Sequence, residues 1–366
     1  MAPVALAVLA AVTGSGVAAA GGAGAETNAQ AWCGWGTFSG TNPPGACWRP
    51  YSSSSPFNRP LPAEVRRISK SAKVASRTTR FGRGAPVFNG GIAGTSLDTG
   101  HPLYYSRAGD PVYRVHCTKS WGRCEVEGMR IRIPAEAKPA GGDDGHMAVI
   151  DQANGIEYDF WQVKRKRRSG GRLTVSWGGK TRIGTSTASG RGGKAVAAGY
   201  GLAAGVIRPE ELAAGEIDHA LFMTVKCTNG KSVWPAGRGT GKVCPKDQRS
   251  AAPAMGARFY LKRSWAEIDA MSIPAWQKTI LRAMSRYGMY VGDTGASYHG
   301  WTIKVASGTS YRSFGQKDPW AELGRALGLP TWKYRRRTLY SFDLRRAVNW
   351  RRNLRVARAC IARGTC

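Results

Sequence analysis

Polar and apolar residues alternate most regularly between residues 143 and 163. Two β-prone runs flank the dipeptide Asn154-Gly155, which is typical of a two-residue turn between antiparallel strands. Such a turn would place Ile150 opposite Asp159. Because successive side chains of a strand point to opposite faces, the sequence predicts a hairpin with two unlike faces.

One face of this hairpin is predicted to be apolar and the other polar. The apolar face holds Met147, Val149, Tyr158 and Phe160. The polar face holds Asp144, His146, Gln152, Glu157, Asp159 and Trp161, with Ala148 and Ile150 between them. A sheet face that carries carboxylates, a histidine and an indole is a candidate floor of an active site.

The rest of the pattern predicts many short strands and few helices. Most segments between residues 87 and 225 alternate β-branched or aromatic residues with polar ones, and glycine-rich turns separate them. Helical spacing is confined to short stretches and to the tail that begins at Asp343. Since no strand–helix rhythm is present, we expect a mainly β fold: an antiparallel β-sandwich of the jelly-roll type, with a few peripheral helices and a basic helical C-terminal tail.

Four segments are expected along the chain. Residues 1–25 are typical of a secretory signal peptide, and residues 26–62, rich in Gly, Pro, Ser and Trp, are expected to form an extended segment pinned by a disulfide. Residues 63–332 would form the sandwich and residues 333–366 the basic tail. No later stretch is apolar enough to span a bilayer, so we predict a secreted protein, extracellular or associated with the cell wall.

The net charge of the chain indicates which binding partners to expect. The chain has 366 residues, a formal net charge of +31 and a hydrophobic content of 42%, which is enough for a sizeable core. Such a charge favours a polyanion, above all an acidic polysaccharide or wall polymer. Export argues against nucleic acid, and we expect a monomer. The alternative is a solvated basic surface without a specific partner.

Cysteine usage agrees with an oxidising compartment. The eight cysteines allow 105 pairings. They fall into four neighbouring pairs, each around a turn-rich segment, and we predict that neighbours are joined: Cys33 with Cys47, Cys117 with Cys124, Cys227 with Cys244, and Cys360 with Cys366. Structural zinc is the alternative, and the lack of a C-x-x-C motif argues against it.

The polar face suggests carbohydrate chemistry. Glu157 and Asp159 would lie roughly 6–7 Å apart along one strand, and Trp161 continues that face. Two carboxyl groups suit glycoside hydrolysis, in which one protonates the leaving oxygen and the other attacks or activates water. The indole would stack on a sugar ring. The alternative is the solvated outer face of a sheet, with Glu157 paired to a basic residue.

Two resemblances accompany this interpretation. The strand Glu157-Tyr158-Asp159-Phe160 resembles the E-x-D-x strand of family 16 glycoside hydrolases, which implies a jelly roll and a retaining mechanism. That family has a second glutamate a few residues later, where this chain has Gln162, so the missing acid is expected from Asp144, Asp293 or Glu216.

The second resemblance is to a set of secreted actinobacterial β-sandwich proteins. It rests on residues 55–61, on the segment around Gly145-His146 and on residues 219–221 and 287–293. It implies a β-sandwich fold and secretion.

Other roles remain open. His146 lies too far along its strand to pair with Asp159 and suits Asp144 better, and His219 and Asp293 are further candidates for contact with the substrate. We predict no cofactor, although Asp144, His146, His219 and Asp293 are suitable ligand types for a divalent metal such as calcium.

A polysaccharide lyase is the second enzymatic hypothesis. Its base would be Tyr158 or His146, and Gln152, Gln162 and the basic loop at Lys164–Arg168 would neutralise an acidic sugar. The non-enzymatic hypothesis is that the protein binds an anionic wall polymer without catalysis.

Overall fold

The computed structural model describes residues 33–80, 86–167, 169–184, 187–295 and 300–366. The signal peptide expected at residues 1–25 lies outside these residues, and so do the first residues of the extended segment and Arg168 of the basic loop. The fold is mainly β, since strands account for 26% and helices for 20%.

Short strands make up most of the regular structure. The strands are β1 (Val87–Gly90), β2 (Leu103–Ser106), β3 (Val112–Cys117), β4 (Arg130–Arg132), β5 (Met147–Asp151), β6 (Ile156–Trp161), β7 (Arg165–Lys166), β8 (Gly171–Val175), β9 (Trp177–Arg182), β10 (Leu221–Val225), β11 (Arg258–Leu261), β12 (Met289–Thr294), β13 (Trp301–Ile303), β14 (Thr331–Tyr334), β15 (Arg337–Asp343) and β16 (Leu354–Val356).

The helices are peripheral and short. The α-helices are α1 (Ser71–Arg80), α2 (Pro209–Ala214), α3 (Trp265–Asp269), α4 (Ala275–Arg286), α5 (Pro319–Ala326), α6 (Trp350–Asn353) and α7 (Ala359–Arg363), with 3₁₀ helices at Lys246–Ala251 and Gly308–Phe314.

These strands form four sheets. The central sheet has the order β2-β5-β6-β9 and the outer sheet the order β4-β3-β8-β7. The carboxy-terminal sheet has the order β13-β10-β12-β11-β16, and β1-β15-β14 form a small fourth sheet. The predicted antiparallel arrangement is wrong at three pairs, because β2 pairs with β5, β3 with β8 and β10 with β12 in parallel. Long connections join these strands, and alternation within a strand carries no information about the direction of its neighbour.

The predicted hairpin is β5–β6, with a different register. Ile150 pairs with Glu157 and Asp151 with Ile156, so the loop is two residues longer than a two-residue turn allows. The Asp151 carboxylate stabilises this longer loop by accepting hydrogen bonds from the backbone N–H groups of Ala153 and Asn154, both at 3.1 Å. A shift of two residues leaves every side chain on its expected face.

Both faces of the hairpin are buried, each in its own hydrophobic cluster. Met147, Val149, Tyr158 and Phe160 pack with Tyr113, Val115, Ile131 and Leu173 of the outer sheet. Ala148 and Ile150, on the other face, belong to the larger cluster that includes Phe222, Val291 and Trp301 of the carboxy-terminal sheet. The central sheet is therefore covered on both sides, and the sequence had predicted only one covered side.

The tail was predicted as a helical appendage, but it contains only two short helices, α6 and α7, and it is part of the sheets rather than an appendage. β15 continues to Asp343, and β16 pairs with β11 in the carboxy-terminal sheet. Leu344 and Leu354 are fully buried. The strand β14 also crosses the expected boundary at residue 332. The arginine-rich composition suggested an exposed helix, but the sparse apolar residues between the arginines are what anchor the segment.

The N-terminal segment lies on the domain without regular structure through residue 62. Phe38 and Trp48 are buried in it, and both rings contact Tyr105 of β2 edge to face, at 5.1 and 5.3 Å between centroids. The four predicted disulfides are confirmed. Within the described ranges, no helix has both the length and the apolar character needed to cross a bilayer.

Candidate functional site

Glu157 and Asp159 lie on the same face of β6, as the alternation predicts, but neither is accessible. Both are 0% exposed. A covering segment, residues 189–203, lies directly over them, and its glycines make the close approach possible: a Cβ at Gly193 would collide with Asp159, and one at Gly201 with Glu157. The predicted acid–base pair is therefore a buried carboxyl pair beneath the chain surface.

Hydrogen bonds tie this carboxyl pair to the covering segment. Glu157 accepts from the Tyr51 hydroxyl at 2.6 Å and from the Ala203 backbone N–H at 2.7 Å. Asp159 accepts from the Leu202 N–H at 3.1 Å. Burial raises the pKa of both carboxyl groups, and the charge of Glu157 raises the pKa of Asp159 further. The arrangement favours a protonated Asp159 next to an ionised, hydrogen-bonded Glu157.

A first prediction follows from this pair. Asp159→Asn is expected to increase the free energy of unfolding at pH 7–8 by roughly 1–3 kcal/mol, because the amide imitates the protonated carboxyl without requiring a buried proton. A carboxyl whose pKa is raised on folding makes the native state bind more protons, so wild-type stability declines as pH rises through the interval between the unfolded and folded pKa values. Urea denaturation between pH 4 and pH 8 measures this slope.

Asp143→Asn is the matched control, because it removes an exposed carboxylate from a nearby loop. The control should leave the slope unchanged, and Asp159→Asn should flatten it. A variant at residue 159 that loses stability equally at every pH would contradict the protonated assignment.

An open cleft of about 850 Å³ lies beside the covering segment. Its lining includes residues of the covering segment, the loop at Gly237–Gly239, and Asp293 and Thr294 at the end of β12. Three tryptophans and a second acid complete this part of the lining: Trp121, Trp161, Trp177 and Asp144. We call this site the tryptophan cleft.

The three indoles form one continuous aromatic surface. Trp121 stacks on Trp161 with 5.5 Å between ring centroids and contacts Trp177 at 5.8 Å. Trp121 is 63% exposed, although an indole of its size is usually largely buried. It lies in the loop closed by the Cys117–Cys124 disulfide, which limits the freedom of the loop and holds the ring over the cleft.

Charges of both signs line the tryptophan cleft. The cations are Arg191, Lys194 and Arg238. Lys194 pairs with Glu125, and Arg191 donates to the Pro235 carbonyl at 2.7 Å. The two acids are Asp144 and Asp293, and the Trp161 indole N–H donates to Asp144 Oδ1 at 3.1 Å. This bond fixes the Asp144 carboxylate relative to the aromatic surface.

Asp293 combines partial burial with access to the cleft. Burial raises its pKa to about 6, against the opposing hydrogen bond from the Thr294 N–H at 2.7 Å and the charge of Lys304. The nearby Asp144 charge raises the same pKa. Lys304 is held by the Thr99 carbonyl at 2.8 Å, and burial lowers its pKa although Asp293 and Asp144 oppose that effect. Asp293 can thus carry a proton near neutral pH, as a general acid must.

His146 supports the cleft from behind and does not face it. The side chain is buried, and Nε2 donates to the carbonyl of Ala195, a lining residue, at 3.1 Å. Its ring meets that of His101 edge to face at 5.1 Å. Burial, and then the charge of Lys304, lowers the pKa of His146 to about 4. A neutral, buried imidazole in this position orients the covering segment, and the predicted role in catalysis has no geometric support.

The other predicted contacts with substrate lie elsewhere. Gln152 is buried against the N-terminal segment, where it accepts from the Phe38 N–H at 2.7 Å. Gln162 accepts from the Ser176 hydroxyl at 2.8 Å and has a positive φ of 51°. Tyr158 is buried between the central and outer sheets. His219 is buried against Glu211, with 3.1 Å between Nε2 and Oε1. These side chains stabilise the fold, and none of them lines the cleft.

Three of the predicted site residues therefore line the cleft, and most of its other charged and aromatic residues were not predicted. Asp144, Trp161 and Asp293 line the cleft as candidates, but Trp121, Trp177, Arg191, Lys194 and Arg238 were not identified. The position of Trp121 in a short segment between two neighbouring cysteines was the one available signal for it. Among the described residues, no group of three or more His, Cys, Asp or Glu side chains is placed to hold a metal ion.

Comparisons with protein-family models, with curated proteins and with solved structures found no match to this chain.

Proposed function

We propose that this protein is a secreted enzyme that binds an acidic polysaccharide in the tryptophan cleft and hydrolyses its glycosidic bonds. The observation that carries the proposal is the meeting of an exposed aromatic surface, three cations and two carboxyl groups in one cleft. Its volume of about 850 Å³ lies within the usual range of ligand sites.

The aromatic surface and the cations favour an acidic sugar as the ligand. Indole faces pack against the apolar C–H faces of sugar rings, and three adjacent indoles offer room for more than one ring. Arg191, Lys194 and Arg238 can pair with carboxylate or sulfate groups of the same chain. The net charge of +31 favours the approach of such a polymer from solution.

The two accessible carboxyl groups favour hydrolysis. Asp293, with its pKa of about 6, would protonate the leaving oxygen, and Asp144, oriented by the Trp161 N–H, would act as the carboxylate that attacks or activates water. Elimination by a lyase would need a tyrosine or histidine base, and neither type occurs among the described lining residues. The proposal thus moves the acid–base pair from Glu157 and Asp159 to Asp293 and Asp144.

Three further expectations belong with this proposal. The shared cluster between the central and outer sheets supports a β-sandwich, in which a jelly-roll order stays a prediction. The four disulfides support secretion. We keep the expectation that the protein acts as a monomer.

Binding by the aromatic surface can be tested with Trp121→Ala. We expect the dissociation constant for oligogalacturonate to rise roughly tenfold, because about 1.4 kcal/mol of stacking and burial is lost. Isothermal titration calorimetry measures this change. Because the ring is 63% exposed, the unfolding temperature should stay within about 2 °C of wild type.

Trp332→Ala is the matched control, since Trp332 is 41% exposed and lies on β14, away from the cleft-lining residues. The control should bind like wild type. Equal affinities for all three proteins, or equal losses in both variants, would contradict the assignment of the cleft as the glycan site.

A further inference from the structure

The outer sheet exposes a straight row of three arginines. Arg114 on β3 is paired in register with Arg130 on β4 and with Arg172 on β8. All three are exposed, whereas their strand neighbours Tyr113 and Val115 are buried. Adjacent strands lie about 4.8 Å apart, so the three side chains leave the same face of the sheet as direct neighbours. We call them the arginine row.

Nothing in the described structure neutralises this row. Apart from the backbone pairing of their strands, no ion pair or side-chain hydrogen bond connects any of the three guanidinium groups to a described residue. Glu127, an acid that lines the same hollow, is engaged elsewhere: its Oε2 accepts from the Cys117 N–H at 2.6 Å, and its Oε1 lies 3.4 Å from His116 Nδ1. Like charges directly opposite each other destabilise a sheet, so the row carries an uncompensated repulsion.

The arginine row lines a hollow that can admit a ligand. Its volume is about 650 Å³, and Val112, Val115 and Gly171 complete the lining together with the arginines, His116 and Glu127. Gly171 has a φ of 104°, and nothing lies within 4 Å of the position that a Cβ would occupy. The backbone at Gly171 therefore leaves open space at the hollow.

We propose that the arginine row is a second polysaccharide-binding site, separate from the tryptophan cleft, that takes carboxylate groups on successive sugars of a polyuronate. A guanidinium presents paired N–H donors that match a carboxylate. Three of them at strand spacing form a linear array, which suits an extended polymer better than a single anion. Charge complementarity identifies the partner: the bound carboxylates would remove the repulsion within the row.

The test compares two triple variants of equal charge. The row variant is Arg114→Gln/Arg130→Gln/Arg172→Gln. The control is Arg66→Gln/Arg325→Gln/Arg351→Gln, which removes three exposed arginines from unrelated elements. Both are made in the Trp121→Ala background, so that the cleft contributes little. Fluorescence anisotropy with labelled polygalacturonate gives the dissociation constant at several salt concentrations, and dextran serves as the uncharged polymer.

We expect the row variant to bind polygalacturonate roughly tenfold more weakly and with a shallower dependence on salt, and the control to lose threefold or less. The unfolding temperature of the row variant should equal or exceed that of its background, because the repulsion is gone. Equal losses in both triple variants would overturn the proposal and assign the binding to net charge. An Arg→Lys version of the row keeps the charge without the paired donors and should bind at an intermediate level; wild-type-like binding by it would also count against the row geometry.

Failure of this proposal is distinguishable from failure of the cleft. The cleft is judged by Trp121→Ala in an otherwise unchanged chain, with a short oligogalacturonate. The row is judged by the difference between two triple variants that share the same cleft substitution, with a long polymer.

Discussion

Replacing Asp293 with asparagine is expected to lower the turnover of an acidic polysaccharide by about 10²–10⁴-fold, the contribution of a well-placed general acid. The amide keeps the size of the side chain and can still accept from the Thr294 N–H, which lies 2.7 Å from Oδ1. It cannot deliver a proton to the leaving oxygen. Release of reducing ends from polygalacturonate measures the loss.

The pH dependence gives an independent signature of the same residue. Burial raises the pKa of Asp293 to about 6, and a general acid works only in its protonated form. The wild-type kcat/KM should therefore fall as pH rises through about 6. In Asp293→Asn the residual activity should lack this alkaline limb, because no proton is lost at that position.

Affinity and a charge-matched variant separate chemistry from binding. Asp293→Asn should bind oligogalacturonate within about threefold of wild type, since the indoles and cations of the cleft remain. Asp143→Asn removes the same charge from an exposed position on the neighbouring loop and should keep full turnover. If Asp293→Asn retains the wild-type rate and pH profile while Glu157→Gln abolishes turnover, the buried carboxyl pair would have to be the catalytic one.

Local patterns predicted the hairpin well, and long-range packing decided its environment. The alternation of side chains predicted that Glu157 and Asp159 share one face of a strand, and in the structure they do. Period-2 alternation describes which side chains share a face, but it does not reveal what covers that face. The covering segment lies some forty residues later in the chain, and only its glycines, Gly193 and Gly201, allow it to approach so closely.

The tryptophan cleft could not be predicted from local sequence patterns either. Trp121, Trp161 and Asp293 come from a disulfide loop, from β6 and from the end of β12, and no sequence spacing relates them. The disulfides were predictable because each joins close neighbours around a turn. The C-terminal strands were not, because the hydrophobic residues that bury β15 and β16 are few and lie among arginines whose composition is equally typical of a solvated helix.

Replacing Glu211 with glutamine is expected to reduce the free energy of unfolding by about 3–5 kcal/mol, the usual cost of breaking a buried ion pair on one side. Glu211 Oε1 lies 2.9 Å from Arg208 Nη2 and 3.1 Å from His219 Nε2, and all three side chains are buried. The guanidinium also donates to the carbonyls of Gly45 and Trp48, at 2.9 and 2.5 Å. Loss of the carboxylate would leave this cation uncompensated at the point where it holds the N-terminal segment.

The way in which the free energy of unfolding falls at acidic pH should change as well. Burial alone would raise the pKa of Glu211, but Arg208 and then His219 lower it to about 2. A lowered pKa gives stability that is present above the unfolded value, near 4.3, and is lost as pH falls towards 2. Glu211→Gln should therefore be less stable than wild type at pH 7, and the difference should shrink between pH 4 and pH 2. Urea denaturation across this range measures it.

An exposed ion pair of the same chain provides the contrast. Asp343 and Arg345 contact each other at the surface, and Asp343→Asn should cost less than about 1 kcal/mol because water screens the pair. In Arg208→Met/Glu211→Gln both charges are gone. Part of the lost stability should then return, since no buried charge remains unpaired, although the double variant also loses the bonds from Arg208 to Gly45 and Trp48. A double variant no more stable than Glu211→Gln would show that the uncompensated charge costs no more than the bonds to Gly45 and Trp48 contribute.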